Sequence, residues 1–303
     1  MTYTAPRSID QYLAQLRAAL EGEDSALVQD ALYDAEEYLR AELAAARNAV
    51  PPQSEADVLE RIASTYGAPE EVAEAYRTTE AKVTAALRLP PPPPPQSLLG
   101  RFFGVFRDTR AWGALFYLIL SLVTGVFYFT VAVTGLTMSV GLAVLIVGVP
   151  FFLLFIGLTR VLSLAEGRLV ESLLGERMPR RPLARTPGTL WERIRDMLTD
   201  WRTWTTLLYM GLQLPLGIAY FVLAILGLSI GLALIGLPVT ALFSHGDVIV
   251  GNFEGVQLTA DLGGLEFVLF PVLGVLVITA LLHAARGIGK LHGRLAKALL
   301  VSQ

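Results

Sequence analysis

The sequence predicts an all-α protein in two parts: a small cytosolic helical domain, then a polytopic helical membrane domain of four spans, with five as the alternative. Three observations carry this. First, the 303 residues are 53% hydrophobic with a mean hydropathy of +0.54, too apolar for an ordinary soluble domain. Second, charge is uneven: residues 1–82 hold 16 Asp/Glu against 7 Lys/Arg, whereas residues 83–303 hold 11 against 17. Third, a phrase recurs. DTRAWGALFY (108–117) and DWRTWTTLLY (200–209) lie 92 residues apart and share Asp, Arg, Trp, Leu and Tyr at the same five places.

The cytosolic domain is expected over residues 1–86. Ser8, with Gln11 three residues on, has the capping-box pattern, and Tyr12, Leu13, Leu16 and Leu20 follow at helical spacing. A second amphipathic helix starts near Ser25 and ends at Pro51 and Pro52; Ser54 caps a third, which Gly67 closes. Pro69 opens a fourth with Glu70 and Glu71 in its first turn, where the helix dipole favours anions. Its carboxylates read as a solvated surface or as a docking face for a basic partner, with Glu36, Glu37, Glu70 and Glu71 the candidates.

The stretches IDQYLAQLRAAL, DAEEYLRAEL and YGAPEEVAEAYR (within residues 8–80) resemble the HTH-associated α-helical signalling domain. That resemblance implies a cytoplasmic protein-interaction module, often attached to membrane segments and linked to PadR-type transcription regulators, and not an enzyme.

Residues 87–97 form a linker in which Pro90 to Pro95 are consecutive, a run that favours stiff polyproline II.

The membrane part is expected as two parallel units, 98–189 and 190–303. No charged residue occurs in 111–159, 203–245 or 267–285, and a span needs about 20 apolar residues. The predicted spans are 112–134, 141–160, 204–226 and 267–286, with a turn at Gly135–Gly141. Lys and Arg are absent between Arg110 and Arg160 and between Arg202 and Arg286. The positive-inside rule therefore puts both termini in the cytoplasm of a bacterial inner membrane and requires an even number of crossings. No apolar h-region opens the chain, so no cleaved signal peptide is expected.

Between 98–136 and 190–228, 15 of 39 positions are identical at the offset of 92. Later matches (GRLVESLL from Gly167 and GRLAKALL from Gly293, Gly148 and Gly274, Arg160 and Arg286) share an offset of 126, so the second unit carries about 34 more residues, within an outer insertion at 228–265. Segment 228–243 is expected to be re-entrant or packed at the outer leaflet. Its likeness to 141–150 is what favours a fifth crossing. Arg110, Trp112, Arg202 and Trp204 read as interface anchors, with indoles in the headgroup zone and guanidinium groups reaching lipid phosphates. The insertion's Asp247, Asn252, Glu254 and Asp261 are the candidate outer sensing loop.

The doubled RDxxxW…LLY…G…YF pattern, the LLG at 173–175 and the ending LHGRLAKALL resemble the sensor domain of bacterial two-component histidine kinases over about 98–300. The sequence departs from those kinases after that domain, reaching Gln303 without kinase residues or a phosphoacceptor His domain.

No catalytic constellation is visible. There is no cysteine, and His245, His283 and His292 lack metal-ligand spacing. GIGKLHG (287–293) reads as a flexible exit from the membrane, and the spans show no ionisable residue at mid-depth except His283 near one end. The expectation is a non-enzymatic membrane sensor that couples an envelope stimulus to a PadR-like cytosolic regulator. It needs no cofactor and no direct nucleic acid, contacts lipids and is compatible with a homo-oligomer. The alternative is a scaffold or accessory subunit of a transporter or envelope complex.

Overall fold

The computed structural model describes residues 6–47, 54–87, 98–142, 148–179, 195, 198–243, 247–253, 256–261 and 264–301. The prolines at 51–52 and 90–95 and all of the expected 87–97 linker beyond Leu87 lie outside these residues, as does Glu254.

The first part is helical, with α1 (Ile9–Ala19), α2 (Ser25–Arg47), α3 (Glu55–Thr65) and α4 (Pro69–Leu87). The caps act as their residue types demand. Ser8 accepts the amide hydrogen of Gln11 at 3.2 Å, and the Gln11 side chain reaches back to the Arg7 amide at 2.9 Å. Ser54 accepts from Asp57 N–H in the same way. Gly67 stands at φ +113°, a backbone that side-chain-bearing residues rarely adopt. Tyr12, Leu16, Leu39, Val58, Leu59 and Ile62 fill the core. Tyr12 also donates its hydroxyl to the Gly67 carbonyl (2.8 Å), tying α1 to the α3–α4 turn.

Among the described residues, the second part holds four helices long and apolar enough to cross a membrane. A short helix, α5 (Leu98–Phe103), and a 3₁₀ turn at Gly104–Arg107 lead into α6 (Thr109–Leu142). Next come α7 (Gly148–Leu169), which runs on through a π turn at Val170–Leu174, then α8 (Trp201–Phe243) and α9 (Glu266–Leu300). The starts of α6 and α8 and the ends of α7 and α9 gather at one end. There Gly113 abuts the Leu173 backbone, Gly293 abuts Glu176, and Arg202 reaches the Leu300 carbonyl.

The two copies of the repeated phrase make the same local bonds. The Asp108 and Asp200 carboxylates accept the amide hydrogens of Arg110 and Arg202, at 3.0 and 3.1 Å. The Trp112 and Trp204 indoles each donate to a carbonyl six residues earlier, of Phe106 and Leu198, both at 2.9 Å.

Two expectations are corrected. No turn forms at Gly135, because α6 continues to Leu142. Nor does segment 228–243 fold back: it is the second half of α8, a single helix of 43 residues, about 64 Å at 1.5 Å per residue. The physical reason is the same in both places. These glycines are packing notches, not breaks. The Phe155 ring occupies the space a Cβ would take at Gly135, and Leu281 does so at Gly227. Gly231 and Gly274 bring α8 and α9 together backbone to backbone. Close approach of this kind is what small residues contribute between membrane helices, and it replaces the helix-breaking tendency seen in water. Pro215 and Pro238 likewise sit inside α8.

Beyond α8 the chain forms a two-stranded antiparallel hairpin, β1 (Asp247–Phe253) with β2 (Val256–Asp261). Asp247 pairs with Asp261 and Asn252 with Gln257, and a register shift falls between Ile249 and Gly251.

Candidate functional site

The most informative polar cluster is one the sequence reading missed. Glu166 and His292 are each 1% exposed and sit among Tyr117, Tyr209 and Gln213. Each of the four long helices contributes. α6 brings Tyr117 and α7 brings Glu166; α8 brings Tyr209, Gln213 and Tyr220, and α9 brings His292.

Helical periodicity explains why these residues point inward. The buried positions of α7 include Phe155, Ile156, Thr159, Glu166, Val170 and, in the π turn, Leu174, so Glu166 continues an apolar stripe. On α9 the stripe runs Gly274, Ile278, Leu282, Ala285, Gly289, His292, Ala296 and Leu300. GIGKLHG is therefore not a flexible exit but two turns of α9, whose glycines allow close packing: Gly289 meets Ala114 and Leu174. Glu166 and His292 lie beyond the uncharged stretches, on extensions of the same helices that turn both side chains into the bundle.

The bonding is dense. Tyr117 and Tyr209 donate to one oxygen, Glu166 Oε1, at 2.6 and 2.8 Å. Gln213 Nε2 reaches the Tyr117 hydroxyl at 3.1 Å and Glu166 Oε1 at 3.4 Å. His292 Nε2 lies 2.6 Å from the Tyr117 oxygen and 3.0 Å from that of Tyr209. Each hydroxyl has one hydrogen, and both are given to Glu166. Nε2 must then carry the hydrogen that meets the tyrosine oxygens, which leaves Nδ1 to face the Tyr220 hydroxyl at 3.4 Å. This network couples all four helices, with Glu166 Oε2 and Gln213 Oε1 buried and without a hydrogen-bond partner among the described residues. Its other donors and acceptors are directed at one another, an arrangement suited to fixing helix positions.

Residues related by the two sequence offsets supply the cluster. Tyr117 and Tyr209 are 92 apart, as are Tyr128 and Tyr220, while Glu166 and His292 are 126 apart, each directly before a Gly-Arg-Leu. Those offsets were the available signal. The residue before GRL differs between the copies, acid in one and imidazole in the other.

A second polar region joins the helical domain to the membrane helices. Lys297 pairs with Asp24 at 2.5 Å, and Arg177 pairs with Asp30 and Glu80. Arg202 donates to Gln29 Oε1 at 2.9 Å and to the Leu300 carbonyl at 2.7 Å.

The anticipated site residues fall as follows. Trp112 and Trp204 are 45% and 44% exposed on the helix surface. Arg110 is exposed, whereas Arg202 is half-buried and turned to the helical domain. Asp247, Asn252 and Asp261 lie in the hairpin strands. Glu37 and Glu70 are exposed; Glu71 accepts the Ala68 amide hydrogen at 3.1 Å as part of the α4 cap. Glu36 pairs with Arg40 at 2.5 Å; burial raises its carboxyl pKa, against the pull of Arg40. The carboxylates that meet the second part, Asp24 on Lys297 of α9 and Asp30 and Glu80 on Arg177 just after the π turn, are not among the four anticipated. No cluster of three or more metal-ligating side chains occurs among the described residues.

In comparisons with known proteins, a family model described as "Putative sensor" matches residues 117–300. No curated protein and no solved structure matches the chain.

Proposed function

The chain belongs to this sensor family, and from that premise we propose that it is a membrane sensor whose helices pass a membrane or envelope stimulus to a cytosolic regulator through the N-terminal helical domain. One observation carries the reading. The helices that form the Glu166–His292 circuit are those to which the helical domain is fastened. Lys297 lies five residues beyond His292 on α9, and Arg202 lies seven before Tyr209 on α8. A shift of α8 or α9 that alters the buried circuit therefore strains the fastening contacts, and the reverse holds by linkage.

In this reading the positive-inside rule places the domain end in the cytoplasm of a bacterial inner membrane and the hairpin outside. The two matching halves are parallel repeats. The regulator is of the PadR type, as the resemblance of residues 8–80 implies, and it docks on the acidic surface that the membrane helices leave open, with Glu37 and Glu70 exposed there.

Affinity capture from native membranes tests this, with the wild-type chain beside a variant carrying Lys297→Glu and Arg177→Glu. The variant repels Asp24, Asp30 and Glu80, frees the domain and is expected to capture more regulator than the wild type. Equal capture by both, or none by either under envelope stress, overturns the coupling. Orientation has its own test in this cysteine-free chain. A cysteine at Asn252 should react with an impermeant reagent in intact cells, and one at Glu37 should not.

A second reading, a scaffold or accessory subunit, is favoured by one feature. At about 64 Å, α8 is twice the roughly 30 Å of a hydrocarbon core. Leu232, Val239, Leu242 and Phe243 stay exposed along its far half, an apolar surface that another membrane subunit would cover. A stoichiometric complex on purification, with transcription unchanged on deletion, would select it.

A further inference from the structure

We infer that the cleft between α7 and the first two turns of α8 is a phosphate-binding site, which takes the phosphate of a lipid headgroup or free phosphate. Arg160, Arg202, Asp200, Thr159, Thr203 and Thr206 line it, with Gln29 of the helical domain at its edge. Its volume is about 40 Å³, roughly three times the 10–15 Å³ that one water requires on that measure.

Its chemistry is that of an anion site. Two guanidinium groups face one carboxylate, and Asp200 Oδ1 already accepts the Arg202 amide hydrogen at 3.1 Å. Arg202 Nη2 is engaged by Gln29 and Leu300, but its Nη1 is buried and has no hydrogen-bond partner. Arg160 makes no side-chain hydrogen bond or ion pair among the described residues, although it lies in the same cleft. Buried guanidinium donors left unpaired are costly, and an oxyanion satisfies several at once in the geometry that arginine matches best. Thr203 and Thr206, both buried, add hydroxyl donors.

The molecule contains its own control. The matching place in the other half is Asp108 with Arg286, 92 before Asp200 and 126 after Arg160. There the arginine and the carboxylate meet at 3.0 Å. One half closes its charges on each other; the other holds them apart around a cleft. The site is independent of the signalling reading, because binding is measured without any regulator.

The test uses the full-length chain in two arms. Native mass spectrometry follows retention of phosphatidylglycerol against phosphatidylcholine, and calorimetric titration follows inorganic phosphate. Lipid retention alone assigns the headgroup as the source, and phosphate binding alone assigns the free ion; either supports the site. Arg160→Gln breaks no side-chain bond among the described residues, so it is the deciding variant. It should weaken binding about tenfold, the loss of one charge-assisted bond. Arg286→Gln should leave binding unchanged. Binding in neither arm, or equal weakening by Arg160→Gln and Arg286→Gln, overturns the proposal.

Discussion

The stretches of the membrane part that share sequence at offsets of 92 and 126 agree where they pack and differ where they carry charge. Their contact is reciprocal: Gly125 of α6 sits on the Gln213 backbone of α8, and Gly217 of α8 sits on the Ser121 backbone of α6. Gly125 and Gly217 are 92 apart, as are Ser121 and Gln213. The paired tyrosines also hold matching places. At the next level the match fails three times. Glu166 stands where the 126 offset gives His292; Asp108 binds Arg286 whereas Asp200 leaves Arg160 open; and α8 runs nine residues longer than α6 and leads into the hairpin. Shared positions build the scaffold, while the divergent ones supply polarity and direction. Four experiments test that division.

The largest effect should come from the buried acid. Glu166→Ala removes the acceptor of the Tyr117 and Tyr209 hydroxyls and of the Gln213 amide. Orphaned buried donors cost about 1–3 kcal/mol each, so a loss of at least ~3 kcal/mol is expected in thermal unfolding of the purified chain. Glu166→Gln keeps an acceptor oxygen and should recover part of that. His292→Ala leaves both hydroxyls bonded to Glu166 and should cost about half as much as Glu166→Ala. If the two alanine variants are equally damaging, the halves are alike in charge role as well as in place.

Next come the glycines. A Cβ at Gly125 would stand 2.5 Å from the Gln213 carbonyl oxygen, and one at Gly217 closer still to Ser121. Gly125→Leu and Gly217→Leu should therefore destabilise by similar amounts, about 1–3 kcal/mol for overpacking. A cost at only one of the two would break the reciprocity.

How far the sequence could be read follows the same division. The helix-end signals at Ser8, Ser54, Gly67 and Pro69 were legible because each acts within one turn of itself, and the stripes of α1 and α2 because their apolar residues recur at helical spacing. The doubled phrase was legible because identity at a fixed offset needs no structure. The turn position was not. Gly135 and Gly227 look like helix breaks by local preference, and only Phe155 and Leu281, from other helices, show them to be contact points. The buried circuit was hidden for a related reason. Glu166 and His292 lie beside Arg168 and Arg294, in stretches polar enough to read as lying outside the membrane. Periodicity would have placed both on the inward stripe. The contacts of Asp24, Asp30 and Glu80 with Lys297 and Arg177 could not be read at all, since no local pattern separates those carboxylates from the other thirteen in residues 1–82.

The tyrosines give a smaller test. Tyr117→Phe and Tyr209→Phe each remove one hydroxyl that donates to the same oxygen, at about 1 kcal/mol per hydrogen bond. Matching places predict matching losses. Because both meet Glu166 Oε1 and His292 Nε2, the double variant should depart from additivity by at least ~0.5 kcal/mol. Additive losses would mean that the hydroxyls act as two separate bonds and not as one circuit.

The smallest difference is the sharpest, because it isolates one ion pair. Asp108→Asn and Asp200→Asn are the same substitution at matching places. Each carboxylate caps its helix by accepting an amide hydrogen two residues on, and asparagine keeps that capacity. The shared cost therefore cancels in the comparison. What remains is the bond from Arg286 to Asp108, which is 43% exposed on its arginine side. An ion pair that open to solvent is worth under about 1 kcal/mol and is screened by salt. Asp108→Asn should thus be the more destabilising of the two by a few tenths of a kcal/mol in low salt, and the gap should close at about 1 M salt, where the Debye length falls to about 3 Å. Asp200→Asn breaks no ion pair among the described residues, so in the absence of phosphate it should cost only the loss of a negative charge facing the Arg160 and Arg202 guanidinium groups, which salt screens as well. If it proves the more harmful variant, Arg160 or Arg202 draws on Asp200 in solution, and the two halves close their charges alike.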